Sequence, residues 1–251
     1  MVIFRGGSRI STATAGSPKT LMLEARRRAR PDRSGFRVGA VALDAQGDAH
    51  LGFNLEFGSL GSTVHAEQCA LVSAYESGPT QIESLWVDAA PCGHCRQFIL
   101  EFGDPWLHFE GRRTRASALL PQAFSPKALT GSPSPLAKAR SEAPPPSLEL
   151  EALAQWAAQT SHHPYTRVPS GLAAVLNDGT LMTARVLESV AFNPSVTPLA
   201  SLLIQLAQLQ VDLQTLRIVL LHEGPSPVHD PDLARWMLRR LAPGCAWRHD
   251  W

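Results

Sequence analysis

No run of about 18 apolar residues occurs anywhere in the 251-residue chain, so nothing in it reads as a transmembrane helix. Net charge is nearly absent as well. With 23 Lys and Arg against 22 Asp and Glu, the formal charge of +1 gives no general pull toward phosphate backbones or anionic lipid, so neither nucleic acid nor membrane is expected as a partner. Cysteine is scarce. Cys69, Cys92, Cys95 and Cys245 are too few for a disulfide scaffold, and the Cys-x-x-Cys spacing of two of them points to a reducing compartment and to metal or redox chemistry. The first 20 residues lack the apolar core of a secretory signal, and no acid precedes Glu24. Residues 1–18 therefore read as a disordered extension of a cytoplasmic protein, with an organellar transit segment as the alternative. What is plentiful is apolar side chain: 44% hydrophobic against 18% charged excludes a disordered tail, a collagen-like repeat and a long coiled coil.

The pattern along the chain alternates between strand and helix. A helix over 19–30 ends in Pro31-Asp32-Arg33-Ser34-Gly35, and strands over 36–43 and 50–56 flank a turn at Asp44-Ala45-Gln46-Gly47. A helix over 64–75, a buried strand over 82–88 and a helix over 92–102 follow, which argues an α/β layered domain. Residues 130–147 are linker chemistry, rich in Pro, Ser and Ala. The order then repeats: a helix over 148–160, a hairpin around Asn177-Asp178-Gly179, a helix over 199–209, a strand over 216–221 and a helix over 232–241.

Sliding one half over the other tests the repeat. At a shift of 132, Gly39 falls on Gly171, Gly47 on Gly179, Leu55 on Leu187, Glu56 on Glu188, Leu71 on Leu203 and Val87 on Val219. The matches are turn glycines and apolar positions, as a shared backbone would retain. Two domains of one fold are expected, residues 1–129 and 148–251, joined by the linker.

Chemistry concentrates in the first half. His65-Ala66-Glu67 opens one helix and Pro91-Cys92-Gly93-His94-Cys95 opens another. Two thiolates, favoured by the first-turn N–H groups, and one imidazole form a donor set that suits zinc, and three protein ligands leave the open position that marks a catalytic site. Zinc lowers the pKa of water from 15.7 to about 7, worth roughly 12 kcal/mol. Glu67, two residues past His65, is placed to shuttle protons, a further gain of about 10²–10⁴. A redox pair is the blander reading of the cysteines. A structural zinc site is another, with Cys69 as the fourth ligand in preference to His94; otherwise Cys69 and Cys245 are core.

H-x-E followed by P-C-x-x-C is a known signature of zinc deaminases. With Phe36-Arg37-Val38-Gly39-Ala40, Asn54-Leu55-Glu56, Thr63 to Gln68, Pro91 to Phe98 and Leu120 to Lys127, and with Pro164-Tyr165 and Ala191-Phe192-Asn193-Pro194 in the second half, the sequence resembles the cytidine deaminases over roughly residues 20 to 250. The resemblance is to the long homodimeric form, a catalytic domain followed by a degenerate copy. It implies a duplicated three-layer α/β/α fold, one zinc per chain on His65, Cys92 and Cys95, and Glu67 as proton shuttle. It also implies Asn54 and Glu56 on the ribose hydroxyls, Phe36 against the pyrimidine, Ala66 beside it, and Phe192 reaching a partner subunit's pocket. For Phe36 and Phe192 the alternative is plain core; for Asn54 and Glu56, an exposed strand end.

The reaction so implied is hydrolytic deamination of cytidine and deoxycytidine to the uridine forms in pyrimidine salvage. Glu67 takes a proton from the attacking water and returns protons to N3 and the departing amine. In the second half His65 maps to Thr197, Glu67 to Leu199, Cys92 to Gly224 and Cys95 to Pro227, so that half is expected to be silent. Two alternatives stay open: deamination of cytosine in polynucleotide, which the near-zero charge and the ribose contacts disfavour, and a nucleoside-binding protein without turnover. The arginines at 26–28 and 112–115 read as a solvated helix face and a loop.

Overall fold

A computed structural model describes residues 10–11, 16–58, 60–78, 81–131, 136, 145, 147–225 and 231–250. These fall into two compact units: the described residues of Gly7–Ala139 with Ser189–Ser195, and those of Arg140–Glu188 with Val196–Trp251. Most of the expected linker and the N-terminal extension lie outside the described residues. No helix among those described is long and apolar enough to cross a membrane.

In the first unit the order is β1 (Ile10–Ser11), α1 (Pro18–Arg28), β2 (Gly39–Asp44), β3 (Asp48–Phe53), β4 (Leu55–Glu56), β5 (Thr63–Val64), α2 (Ala66–Ser77), β6 (Ile82–Val87), α3 (Gly93–Ile99), β7 (Trp106–Phe109), β8 (Arg112–Arg115), α4 (Ala116–Leu119) and α5 (Pro126–Thr130). Six strands form one sheet in the order β1-β3-β2-β6-β7-β8, and β4 and β5 pair separately. β6 and β7 run parallel across the α3 crossover, while the other pairs are antiparallel.

Two glycines set the layers. Gly39 pairs with Phe53 and the next rung is Ala40 with Gly52, so the two glycines face opposite sides of the sheet. A Cβ on Gly39 would lie 2.2 Å from the Met22 carbonyl of α1, and one on Gly52 would lie 2.1 Å from the Ala66 carbonyl of α2. One helix therefore lies on each face at contact distance, an α/β/α sandwich. α1 starts at a Ser17 cap with Pro18 in its first turn and buries Leu21, Met22 and Ala25, whereas α2 is buried nearly all round, the signature of an inner helix. Leu71, at the centre of α2, is fully buried, and truncation there to Ala is worth about 2–5 kcal/mol.

The second unit runs α6 (Leu150–Gln159), β9 (Ser170–Leu176), β10 (Leu181–Arg185), α7 (Pro198–Gln208), β11 (Leu216–Glu223), α8 (Pro231–Leu241) and β12 (Ala246–Asp250). Its sheet order β10-β9-β11-β12 reproduces β3-β2-β6-β7. Gly171 again lies against its helix: a Cβ there would be 2.3 Å from the N of Ala158, the residue 132 beyond Arg26. The duplicated fold is thereby established.

Several local expectations are corrected. The strand over 50–56 breaks at Asn54, whose side chain takes over backbone partners that a ladder would use. The helix expected from 64 starts at Ala66 because Thr63–Val64 pair with β4. Arg112–Arg115 is an edge strand rather than a loop, with Arg113 and Arg115 over the Trp106 ring at 3.8 and 4.1 Å. Cys245 is only partly buried and precedes β12 instead of joining its core.

The constant shift also fails after α7. Val87 pairs with Ala40 in the first unit, but Leu221, not Val219, pairs with the equivalent Leu172 in the second. The path from the start of α7 to β11 holds a short 3-10 turn at Leu213–Thr215 and is two residues longer than that from α2 to β6, so β11 matches β6 at a shift of 134, and β12 then matches β7 at 140. Since the shift keeps changing between these strands, the counterparts Gly224 and Pro227 expected for Cys92 and Cys95 at a constant 132 do not hold.

Candidate active site

Two helix starts meet at the carboxyl end of β6. His65 is the N-cap of α2 with φ −82° and ψ 158°, an extended backbone, and the Gln68 side chain closes back on its N–H. Cys92 caps α3, extended as well with φ −71° and ψ 172°, and Cys95 follows in the first turn. The ligand atoms of His65, Cys92 and Cys95 lie within 4.8 Å of one another. His65 Nδ1 is 3.4 Å from Cys92 Sγ and 3.3 Å from Cys95 Sγ.

The donor set fits zinc. A nitrogen at ~2.0 Å and a sulfur at ~2.3 Å on a tetrahedral ion are separated by about 3.5 Å, close to both observed spacings. Cys92 is poised as a thiolate: hydrogen bonds from Cys95 and then His65 bring its pKa down to about 3. Cys95 moves the other way, raised by its bond with Cys92 and by burial. His65 is raised, chiefly by Cys92. Cys69 is fully buried on α2 and does not join the group, and His94 is exposed at the start of α3.

Glu67 stands in the first turn of α2 at 4% exposure, and burial pushes its carboxyl pKa up. A carboxylate that gains a proton more readily than usual is suited to passing one on. It lines an open cleft of about 270 Å³ with Phe36, Asn54, Glu56, His65, Ala66 and Cys92, just under the roughly 300–1,000 Å³ common for small-molecule sites.

The outer wall is held by a tight set of bonds. Glu56 Oε2 accepts from the Arg33 and Ser34 backbone N–H groups at 2.7 and 2.9 Å, and Oε1 accepts from Ser34 Oγ at 2.5 Å. These bonds, the Ser34 side chain foremost, hold its carboxyl pKa below the usual range. Ser34 Oγ in turn accepts from Phe36 N–H at 3.0 Å. Asn54 Oδ1 accepts from Val38 N–H and its Nδ2 donates to the Phe36 carbonyl, both at 2.9 Å. Phe36 itself is 62% exposed, so the core alternative for it falls.

The sequence reading thus names seven of the residues that line one cleft, but missed Ser34, Val38, Thr63, Ala89 and Ala90. Ser34 carried a signal: at a shift of 132 it falls on Thr166, another hydroxyl. Phe192 is not among the lining residues. It is 52% exposed at φ 57°, which excludes the core alternative for it too.

Residues 17–109 match a family model described as the cytidine and deoxycytidylate deaminase zinc-binding region, and residues 116–234 match a second model of that description. The chain is similar to two cytidine deaminases of Klebsiella pneumoniae, 39% identical over 177 residues and 40% over 178. Each match covers 68% of this chain, which spans 60% of the length of those curated relatives. It is also similar to a crystal structure of cytidine deaminase from Mycobacterium tuberculosis, at 31% identity and a TM-score of 0.41 over 43% of this chain and 94% of that one.

Proposed function

This chain belongs to the cytidine and deoxycytidylate deaminase family, and from that premise we propose that it hydrolyses cytidine and deoxycytidine to uridine and deoxyuridine with release of ammonia. The observation that carries the reading is the buried Glu67 set beside a three-donor group in a cleft of about 270 Å³. His65 Nδ1, Cys92 Sγ and Cys95 Sγ would hold zinc, leaving a fourth position for solvent. Zinc, when bound, supplies the Lewis acidity that makes water a competent nucleophile near neutral pH.

The remaining steps belong to side chains. Glu67 takes the proton of the attacking water, delivers it to N3 of the pyrimidine as C4 is attacked, and carries the next proton to the leaving amine. Phe36 offers an exposed ring for the base. Asn54 keeps one N–H and one lone pair after its two bonds, and Glu56 has used three of about four acceptor sites, so a ribose hydroxyl finds one donor and one acceptor waiting. A ligand unable to pair with them leaves polar groups unmatched and is rejected.

The protein is further read as a homodimer in which the exposed Phe192 ring closes a neighbouring subunit's cleft, and as cytoplasmic, in keeping with its four free cysteines. Ammonia release from cytidine by the zinc-loaded protein tests the activity. Turnover that a chelator abolishes and zinc restores supports it, and metal-loaded protein without ammonia release refutes it.

A further inference from the structure

Gln68 follows Glu67 on α2 and is 8% exposed. It does not line the cleft, yet its amide is used at both ends. Oε1 accepts from the His65 backbone N–H at 3.1 Å, and Nε2 donates to the Pro194 carbonyl, 126 residues away, at 2.9 Å. A second buried bond runs from Val190 N–H to Glu101 Oε1 at 2.8 Å, with both residues 1% exposed. Val190 and Pro194 lie near the two ends of the Ser189–Ser195 segment, which packs with the first unit.

Between these anchors the segment braces itself. Phe192 N–H donates to the Ser189 carbonyl, Ser195 N–H to the Phe192 carbonyl, and Ser189 N–H to Ser195 Oγ, each at 2.8 Å. A turn closed on itself and fastened at two buried points acts as a fixed post. His65 depends on it, because the Gln68 amide that meets Pro194 also holds the backbone of this cap residue.

We infer that the Ser189–Ser195 segment, which lies in the half of the sequence without the His, Glu and Cys set, positions the working site, and that Gln68 is the positioning residue through which it does so. The inference rests on the deaminase reading of the cleft. A carboxamide can accept from His65 and donate to Pro194 at once, which neither an aliphatic side chain nor an ionised carboxylate can do. A ligand set tolerates about 0.5 Å and 10–20° of displacement, and removing a group that supports a ligand typically costs 10–100-fold in metal affinity or activity.

The test uses the full chain with Gln68→Leu, Gln68→Glu, Glu101→Leu and Glu101→Gln. Zinc affinity is read by chelator competition, site geometry by the visible spectrum of the cobalt-substituted protein, and kcat and KM with cytidine at saturating metal. Gln68→Leu is expected to weaken zinc binding about 10–100-fold and to lower kcat over a similar range, with KM changed less than about threefold. Gln68→Glu keeps the His65 bond, loses the Pro194 bond and falls between. Glu101→Leu, remote from the cleft, shifts affinity and spectrum the same way, and Glu101→Gln, which keeps an acceptor, restores them.

Unchanged affinity, spectrum and kcat in Gln68→Leu with only a lower Tm overturns the inference. So does a normal metal site in Glu101→Leu, the arm that remains if Gln68→Leu does not fold. Should wild-type protein bind metal without deaminating cytidine, the deaminase reading fails separately, and affinity and spectrum still decide the positioning claim.

Discussion

Glu56 and Glu188, 132 residues apart, make the same bonds to two loops. Glu188 Oε2 accepts from the Tyr165 and Thr166 backbone N–H groups at 2.9 and 3.2 Å, its Oε1 accepts from Thr166 Oγ1, and Thr166 Oγ1 accepts from Val168 N–H at 3.1 Å. Each partner lies 132 beyond its counterpart around Glu56. The half with no His, Glu and Cys set thus keeps the clamp, so the clamp serves the fold first, and the ribose contact proposed for the first half would be an added use of it. The helix caps differ instead. Thr197 Oγ1 accepts from Ala200 N–H and caps α7, whereas His65 in the equivalent place turns Nδ1 to the cysteines, and its N–H is held by the Gln68 side chain. A buried Glu67 where the other half has buried Leu199 costs desolvation. The half that carries the donor set gives up stability at Glu67.

That contrast is sharpest at Glu67. Replacing it with the other half's residue, Glu67→Leu, should cut deamination at least 10²–10⁴-fold while the metal-free protein melts no lower than wild type, and higher if desolvation dominates. Retained turnover, or a clearly lower Tm of the metal-free protein, breaks the comparison.

Acid should separate the halves next. Burial, then the nearby charge of His163, depress the pKa of His162 to about 3 from the ordinary 6.5. The unfolded chain takes up a proton as pH falls through 6.5 and the folded residue only near 3, so this stability is whole above 6.5 and is lost progressively between them, a few kcal/mol at most. The first half has an exposed arginine, Arg30, in this place. Hydrogen exchange at pH 4.5 against pH 7 should show β9 and β11 opening before β2 and β6, and His162→Gln should flatten the difference.

The clamps offer a paired measurement of intermediate size. Glu56→Gln is expected to raise KM for cytidine about tenfold. Glu188→Gln, at 1% exposure, should leave KM alone and lower stability by about 1–3 kcal/mol in urea unfolding. The smallest effect is at the exposed loop: Phe192→Ala should raise KM several-fold at unchanged Tm, and an unchanged KM would leave the ring without a role in the cleft.

Much of the fold was legible because its signals are local. Pro18 behind Ser17, the turn at Gly47 and its double at Gly179, and the apolar runs of β6 and β11 each specify an element within a few residues. The hairpin of β7 and β8 was not, since a run of arginines reads as loop until Trp106 supplies a surface for Arg113 and Arg115. The two-residue slip after α7 was equally hidden, because Val87 and Val219 match in letters while Leu221 takes the place in the sheet. Ser34 went unnoticed because a hydroxyl in a turn is ordinary until the carboxylate it binds is known.

From the sequence alone came the donor types, the shuttle at two residues from the histidine, and a second copy with Thr197 and Leu199 in their places; these are matters of residue identity and spacing within one turn of chain. Tertiary structure decided that His65 meets Cys92 and Cys95 at 3.3–3.4 Å, that Glu67 is buried while Phe36 is not, and that Pro194 reaches Gln68. Burial and hydrogen-bond distance depend on segments brought together across 27 to 126 residues, and no local pattern encodes where such segments meet.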